Sequence, residues 1–188
     1  EIMPSLVGSE MCIRDSLIPI PSPTVAPSAA RDFDFLMGPW RIRNTRLVRR
    51  LAGCHDWEVF DATGTAHPLP GGIGNFDNFT PLAWKPGYVG MALRVFNPVT
   101  QRWSIYWLDN LTGGLDPATG LLLPPVVGGF QGGVGLFEGE ELFEGRPVRV
   151  RFEWSQMHTG APRWQQAFSD DGGATWEVNW VMEFARPV

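Results

Sequence analysis

Between Tyr88 and Leu108 the chain runs Tyr-Val-Gly-Met-Ala-Leu-Arg-Val-Phe, then Asn97-Pro98-Val99-Thr100-Gln101, then Arg-Trp-Ser-Ile-Tyr-Trp-Leu. Two β-rich runs around a compact Asn-Pro turn predict a hairpin. A strand wet on one face alternates apolar and polar residues. Here both runs are almost wholly apolar or aromatic, with Arg94, Arg102 and Ser104 interrupting. The hairpin is therefore covered on both faces. One face meets a core and the other a lumen or a second layer. A curved antiparallel sheet with an aromatic interior satisfies that requirement.

Residues 5–16, Ser-Leu-Val-Gly-Ser-Glu-Met-Cys-Ile-Arg-Asp-Ser, resemble a translated transposon-type sequencing adapter. Residues 1–16 are read as an assembly artefact and set aside in reasoning about the fold. The rest, at about 170 residues, is long enough for one domain with a real core. The whole chain carries a formal charge of −5, and roughly −3 remains without the adapter-like segment. Such a chain offers no basic field for nucleic acid. Lys85 is the only lysine, and Gly, Pro and Ala are abundant, a composition that suggests a GC-rich bacterial genome. Cys12 lies in the adapter-like segment, so Cys54 stands alone and no disulfide framework exists. No run reaches the roughly 20 apolar residues that span a bilayer. The expectation is a soluble, cytoplasmic protein.

Residues 17–31 are rich in Pro, Ser and Ala and read as a flexible lead-in. Asp32 to Met37 suits one helical turn that plugs the end of a barrel, and Gly38-Pro39 stops it. Strands are expected over Trp40–Val48, Trp57–Ala62, the hairpin, Val126–Phe130, Gly133–Glu138, Val148–Met157, Trp164–Ser169 and Trp176–Phe184, with one short strand near Phe76. In the last strand Trp176, Val178, Trp180, Met182 and Phe184 share a face by simple alternation. Residues 109–125 form a long loop, either a lid or a small excursion; Asp116-Pro117-Ala118-Thr119-Gly120 within it repeats the turn chemistry of Asn97 to Gln101. Short turns make neighbours antiparallel, and closure removes the exposed edges. The prediction is an all-β, antiparallel barrel of eight to ten strands over residues 32–188, with a short N-terminal helical cap.

Ser169-Asp170-Asp171-Gly172-Gly173-Ala174-Thr175-Trp176 resembles the Asp box of sialidase-type propeller blades. A propeller repeats such boxes every 40–50 residues or so. One box in a chain this short is a well-built hairpin turn. Gly38-Pro39-Trp40 opens the first strand after a short helical turn, and Arg186 follows the last. This arrangement resembles the Gly-x-Trp signature of lipocalins and related calycin barrels. In that family the Trp packs at the closed end beneath a late Arg. Asp32 to Trp40, Leu93 to Pro98, Trp103 to Asp109 and Trp164 to Ser169 with the Asp box further resemble an uncharacterised bacterial family of lipocalin-like proteins. The resemblance spans about residues 32–186. It implies a calycin-like barrel and supplies no activity and no catalytic residues.

Arg94 is the polar residue that most needs an explanation. If Phe96 pairs with Trp103, Arg94 faces Ile105, Ala92 faces Trp107, and Arg94 shares a face with Trp103 and Trp107. A buried guanidinium needs partners. Either it meets a ligand's acidic group in the lumen, or it joins a structural network with an acid and an aromatic face. Asn44, Arg46, Tyr106, Gln165 and Asn179 are further candidates on aromatic-rich strands. His55, His67 and His158 lie beside turns at no metal-ligand spacing. No metal or cofactor is expected; haem ligation by His158 lacks the Gly-rich opening motif that would accompany it. Cys54-His55 are adjacent and point apart on an extended chain. Glu138, Glu140, Glu141 and Glu144 read as solvated turn charges.

Three functions follow. The first is binding of a small, largely apolar and possibly acidic ligand in the lumen, by Arg94, Trp103, Trp107, Tyr106, Asn44, Arg46, Gln165 and Asn179. The second is an isomerase, cyclase or hydratase on an apolar substrate in the same cavity; a buried carboxylate, or Tyr106, beside Arg94 would favour it. The third is a filled structural or interaction barrel, since nine tryptophans and twelve phenylalanines can fill an interior. A cavity of at least about 300 Å³ separates the first two from the third.

Overall fold

A computed structural model describes residues 28–187, and the adapter-like segment 1–16 lies outside the described residues. Ten strands form one closed antiparallel barrel in which every strand pairs with its sequence neighbours and β1 pairs with β10. They are β1 (Gly38–Leu47), β2 (Trp57–Pro68), β3 (Gly74–Pro81), β4 (Gly90–Asn97), β5 (Arg102–Asp109), β6 (Val126–Gln131), β7 (Val134–Phe143), β8 (Arg146–Ser155), β9 (Arg163–Ser169) and β10 (Glu177–Ala185).

The hairpin that dominates the sequence is β4–β5. Its register places Phe96 opposite Trp103, Arg94 opposite Ile105 and Ala92 opposite Trp107. Asn97 sets that register: its Oδ1 accepts the backbone N–H of Val99 (2.9 Å) and of Thr100 (3.1 Å), an Asx turn. Asp116 repeats the device on Ala118 and Thr119. The loop around it is a small excursion, closed by a Leu115–Leu122 bridge, and its side chains stay off the lumen.

Up-and-down connection gives the barrel two different ends. The plug is built from two 3-10 helices, Ser28–Arg31 and Asp34–Leu36. It begins within the stretch expected to be a lead-in, because Ala29 and Ala30 pack against the core. Phe33 is 1% exposed and meets Trp103, Phe130 and Phe137 at centroid distances of 4.9, 4.9 and 5.7 Å. Trp103 Nε1 donates to the Ala29 carbonyl at 3.0 Å.

Trp40 stands beside the plug, 4% exposed, and donates from Nε1 to the Leu36 carbonyl at 2.6 Å. The Arg186 guanidinium lies over the indole, 3.6 Å from the ring centroid. It also donates to the carbonyls of Met37, Pro39 and Phe35. This clasp joins the first strand, the plug and the segment after the last strand. It is the arrangement that the calycin resemblance implies.

The other end carries the β1–β2, β3–β4, β5–β6, β7–β8 and β9–β10 connections. The β9–β10 connection is the Asp box. Asp171 accepts the Thr175 hydroxyl (2.6 Å), the Thr175 amide (2.9 Å) and the Ser169 hydroxyl (2.7 Å). One expectation fails just beyond it. A bulge between Val178 and Trp180 slips the alternation of β10, as an inserted residue must. Trp180, Met182 and Phe184 keep the inner face, whereas Trp176 lies outside with the Arg151 guanidinium 3.8 Å from its ring centroid.

Candidate functional site

Alternation along each strand decides what the lumen contains. Above the plug a cavity of about 260 Å³ remains. Its floor is Leu36, Trp40, Trp154 and Phe184, and its walls include Phe79, Trp107, Trp164, Trp180 and Met182. Gly90 makes room for one wall, because a Cβ there would run into the Trp107 indole. The volume falls short of the 300 Å³ or so set as the mark of a small-molecule site. The barrel is thus well filled at the plug and hollow toward the open end.

Arg94 lies at the lower level and is 4% exposed. Cross-strand register sets Asn75 directly opposite it and Asp77 opposite Ala92. Arg94 Nη2 donates to Asp77 Oδ2 at 2.6 Å and Nη1 to Asn75 Oδ1 at 3.1 Å. Its guanidinium faces the rings of Phe33 (5.2 Å) and Trp154 (5.8 Å). The carboxylate beside Arg94 is only half-buried, and both of its oxygens are occupied, since Asp77 Oδ1 accepts the Ala92 amide. The guanidinium holds the plug to β3 and β4.

A second set lies at the open end. Arg46 and Glu58 are cross-strand partners, with Nη1 to Oε1 at 2.8 Å. Trp84, from the β3–β4 loop, donates its Nε1 to the same Glu58 oxygen at 3.2 Å. The Trp84 ring stacks on Phe60 at 4.7 Å and 8°. Arg46 lies 5.2 Å from the Trp84 ring and 5.5 Å from the Trp180 ring, while its buried Nε has no acceptor among the described residues. Arg50, just past β1, rests on Phe143 and Phe168 at 5.2 and 5.3 Å. Burial, and then the neighbouring charge of Arg46, brings its pKa down to about 10, against the pull of Glu141, Glu144 and Glu177. Glu141 lines the same mouth, and burial raises its pKa while Arg50 opposes the rise. Burial likewise raises Tyr88.

No family model matches this chain, and no curated protein matches it. The site is accordingly read from its own geometry.

Of the eight candidate residues, Arg94, Arg46 and Trp107 line the cavity. Trp103 faces inward but is spent on the plug. Asn44 and Asn179 are fully buried without lining the cavity. Asn44 accepts the Trp180 indole N–H (3.0 Å), and Asn179 accepts an N–H of Gln166 (2.8 Å). Tyr106, across from Leu93, and Gln165, across from Val181, belong to the outward set. Gln165 accepts from Arg163 Nη1 at 2.7 Å instead. The inward glutamine is its neighbour Gln166.

Arg50, Trp84, Lys85, Tyr88, Asp77 and Glu141 also line the cavity and were missed. Trp84 and Tyr88 bracket a Lys-Pro-Gly turn in a loop with no period. Two aromatics in so short a loop were the available signal. Among the described residues no group of three His, Cys, Asp or Glu side chains could hold a metal ion, and no helix is long and apolar enough to cross a membrane. Cys54 is buried while the adjacent His55 is exposed, so the two form no dyad.

Proposed function

We propose that this barrel binds a small, largely apolar ligand in its lumen and that the calycin resemblance reflects the same way of using a barrel. The volume of about 260 Å³ lies under the mark of about 300 Å³ and by itself favours a filled barrel. What supports binding is the shape and lining of the space, aromatic on its walls, plugged at one end and reached from the other. Burying apolar ligand surface against such walls supplies roughly 25 cal/mol per Å². The modest volume selects a compact ligand, one ring system or one short chain.

The test fills the cavity. Ala92 lines the lumen, opposite Trp107, and Ala92→Leu projects a side chain into the space. Overpacking costs roughly 1–3 kcal/mol, which a barrel of this size tolerates. Titration with 1-octanol, followed by tryptophan fluorescence, is expected to saturate in the wild type and to fail in Ala92→Leu. Equal response of both proteins would place the probe elsewhere. No response from either, with octanol or any other apolar probe, would favour a filled structural barrel.

A second reading, catalysis on an apolar substrate in the same cavity, draws on Glu141, which lines the mouth and whose pKa is raised by partial desolvation although the residue stays exposed to solvent. A general acid needs such a shift. Turnover lost in Glu141→Gln while binding persists would support it.

A further inference from the structure

The β4–β5 hairpin is apolar on both faces, yet the barrel uses only one of them. Ala92, Arg94 and Phe96 on β4 and Trp103, Ile105 and Trp107 on β5 point inward. Their alternates point out. Cross-strand register sets Phe76, Leu93 and Tyr106 in one outward row, Met91 and Leu108 in the next, and Val95 beside Ser104 on the other side. The six apolar residues are only half-buried. Among the described residues no second layer lies over them, because the fold is a single closed sheet with its plug inside. Val89, 40% exposed, extends the line of β4. The excursion after β5 extends the face sideways. Its Gly114 packs so tightly on Trp107 and Leu108 that a Cβ would run into the strand backbone, and the exposed Leu115 and Leu122 follow beside it.

The face is also uncharged. Beyond the turn residue Arg102, no outward position of β4 or β5 carries a charge. The outward charges stand on other strands, with Arg43 between Asp61 and Glu183 and Arg151 opposite Glu138. Strand spacing and rise give each outward side chain about 33 Å² of sheet, so the six residues with Val89, Leu115 and Leu122 present roughly 300 Å² in projection. A monomer rarely shows water that much apolar surface in one piece. It is the size of the dry centre of a standard interface, which spans about 800 Å² per partner with its polar rim. Ser104 and Asn78 border the face, and His67 stacks on Phe76 at 5.3 Å, as such a rim.

We propose that this wall is the interface of a homodimer, in which the outward face of β4–β5 packs against the same face of a second copy. An uncharged face meets itself without repulsion, and it holds nothing for a charged partner to pair with. The six residues lie on the side of the barrel, so pairing leaves both mouths free.

Analytical ultracentrifugation of the full chain, from about 1 to about 100 μM, is expected to show a reversible monomer–dimer equilibrium with a dissociation constant of order micromolar. Leu93→Glu and Tyr106→Lys each bring an unpaired charge into the contact and should weaken the dimer by about hundredfold or more. Val59→Glu, at an exposed apolar site on β2 away from the wall, should leave it unchanged. The wild type gives a second readout that needs no variant. Its two tyrosines differ, Tyr106 lying on the wall and Tyr88 in the cavity lining. Nitration of Tyr106 by tetranitromethane should slow about fivefold from the most dilute to the most concentrated sample, while that of Tyr88 holds steady. A chain monomeric at the highest concentration overturns the proposal. So does a dimer that either charged variant leaves intact while folded, a dimer that Val59→Glu breaks equally, or a Tyr106 whose nitration ignores concentration. A monomer that floats with phosphatidylcholine vesicles overturns it as well and assigns the wall to a lipid surface. None of these readouts depends on what the lumen binds.

Discussion

Replacing Arg94 by methionine separates architecture from recognition. Methionine keeps most of the aliphatic stem and deletes the guanidinium. The deletion strands Asp77, whose Oδ2 loses its 2.6 Å partner while its side chain stays 17% exposed. It also frees Asn75 and removes the cation from the faces of Phe33 and Trp154. Breaking a buried pair by removing one member costs roughly 3–5 kcal/mol, because the remaining charge has no compensation. The residual exposure of Asp77 puts the expectation at the lower end, about 3 kcal/mol, or roughly 6–12 °C in melting temperature for a chain of this length. Urea unfolding should show a lower midpoint at unchanged slope. Adding Asp77→Leu to Arg94→Met should recover much of the loss, since the stranded carboxylate is then gone. A single variant that loses less than about 1 kcal/mol would refute the structural role assigned to this arginine. So would a double variant no more stable than the single one.

Trp40→Ala should cost about 3–5 kcal/mol, the range for emptying a buried aromatic site, as read by the same denaturation. Arg186→Met should cost less, about 1–2 kcal/mol, because its cation–π contact and carbonyl bonds lie at an exposed rim. Asp171 titrates below its ordinary 3.8, held down first by the Thr175 hydroxyl, then by the Thr175 amide and the Ser169 hydroxyl. A depressed folded-state pKa gives stability that is complete above the unfolded value and lost as pH falls through the folded one. Melting curves of Asp171→Asn should therefore lie below the wild type above about pH 4 and converge on it in stronger acid. Parallel curves across that window would argue against the Asp-box bonds.

Where local chemistry sets geometry, the sequence was readable. The Asn97 turn fixes the β4–β5 register, and with it the inward direction of Arg94, Trp103 and Trp107. Trp40 and Arg186 are legible by type and order. Strand ends were not. Trp57–Ala62 and Gly133–Glu138 extend to Pro68 and Phe143, because pairing on both sides of β2 and along β8 holds residues of weak β propensity. Gln165 was taken for Gln166, since a run of two glutamines carries no parity of its own. Trp176 was misplaced by a bulge that alternation does not reveal. Arg50, Trp84 and Tyr88 sit beyond strand ends, where no period applies, and cavity volume depends on packing that no single segment encodes. Glu141, read as a solvated turn charge, is exposed as expected, but the longer β7 sets it at the mouth of the cavity, which the sequence did not show.

The plug and the Trp40–Arg186 clasp lie at one end of the barrel, and the Arg46–Arg50 mouth lies at the other. Few side chains serve both. A protein divided in this way can change its taste without risking its fold. Substitutions in the 48–56 and 82–89 loops reshape what enters, while the residues that decide whether the chain folds at all are a barrel's length away. The same division makes the barrel a vessel for engineering, with a rim open to redesign and a base best left untouched.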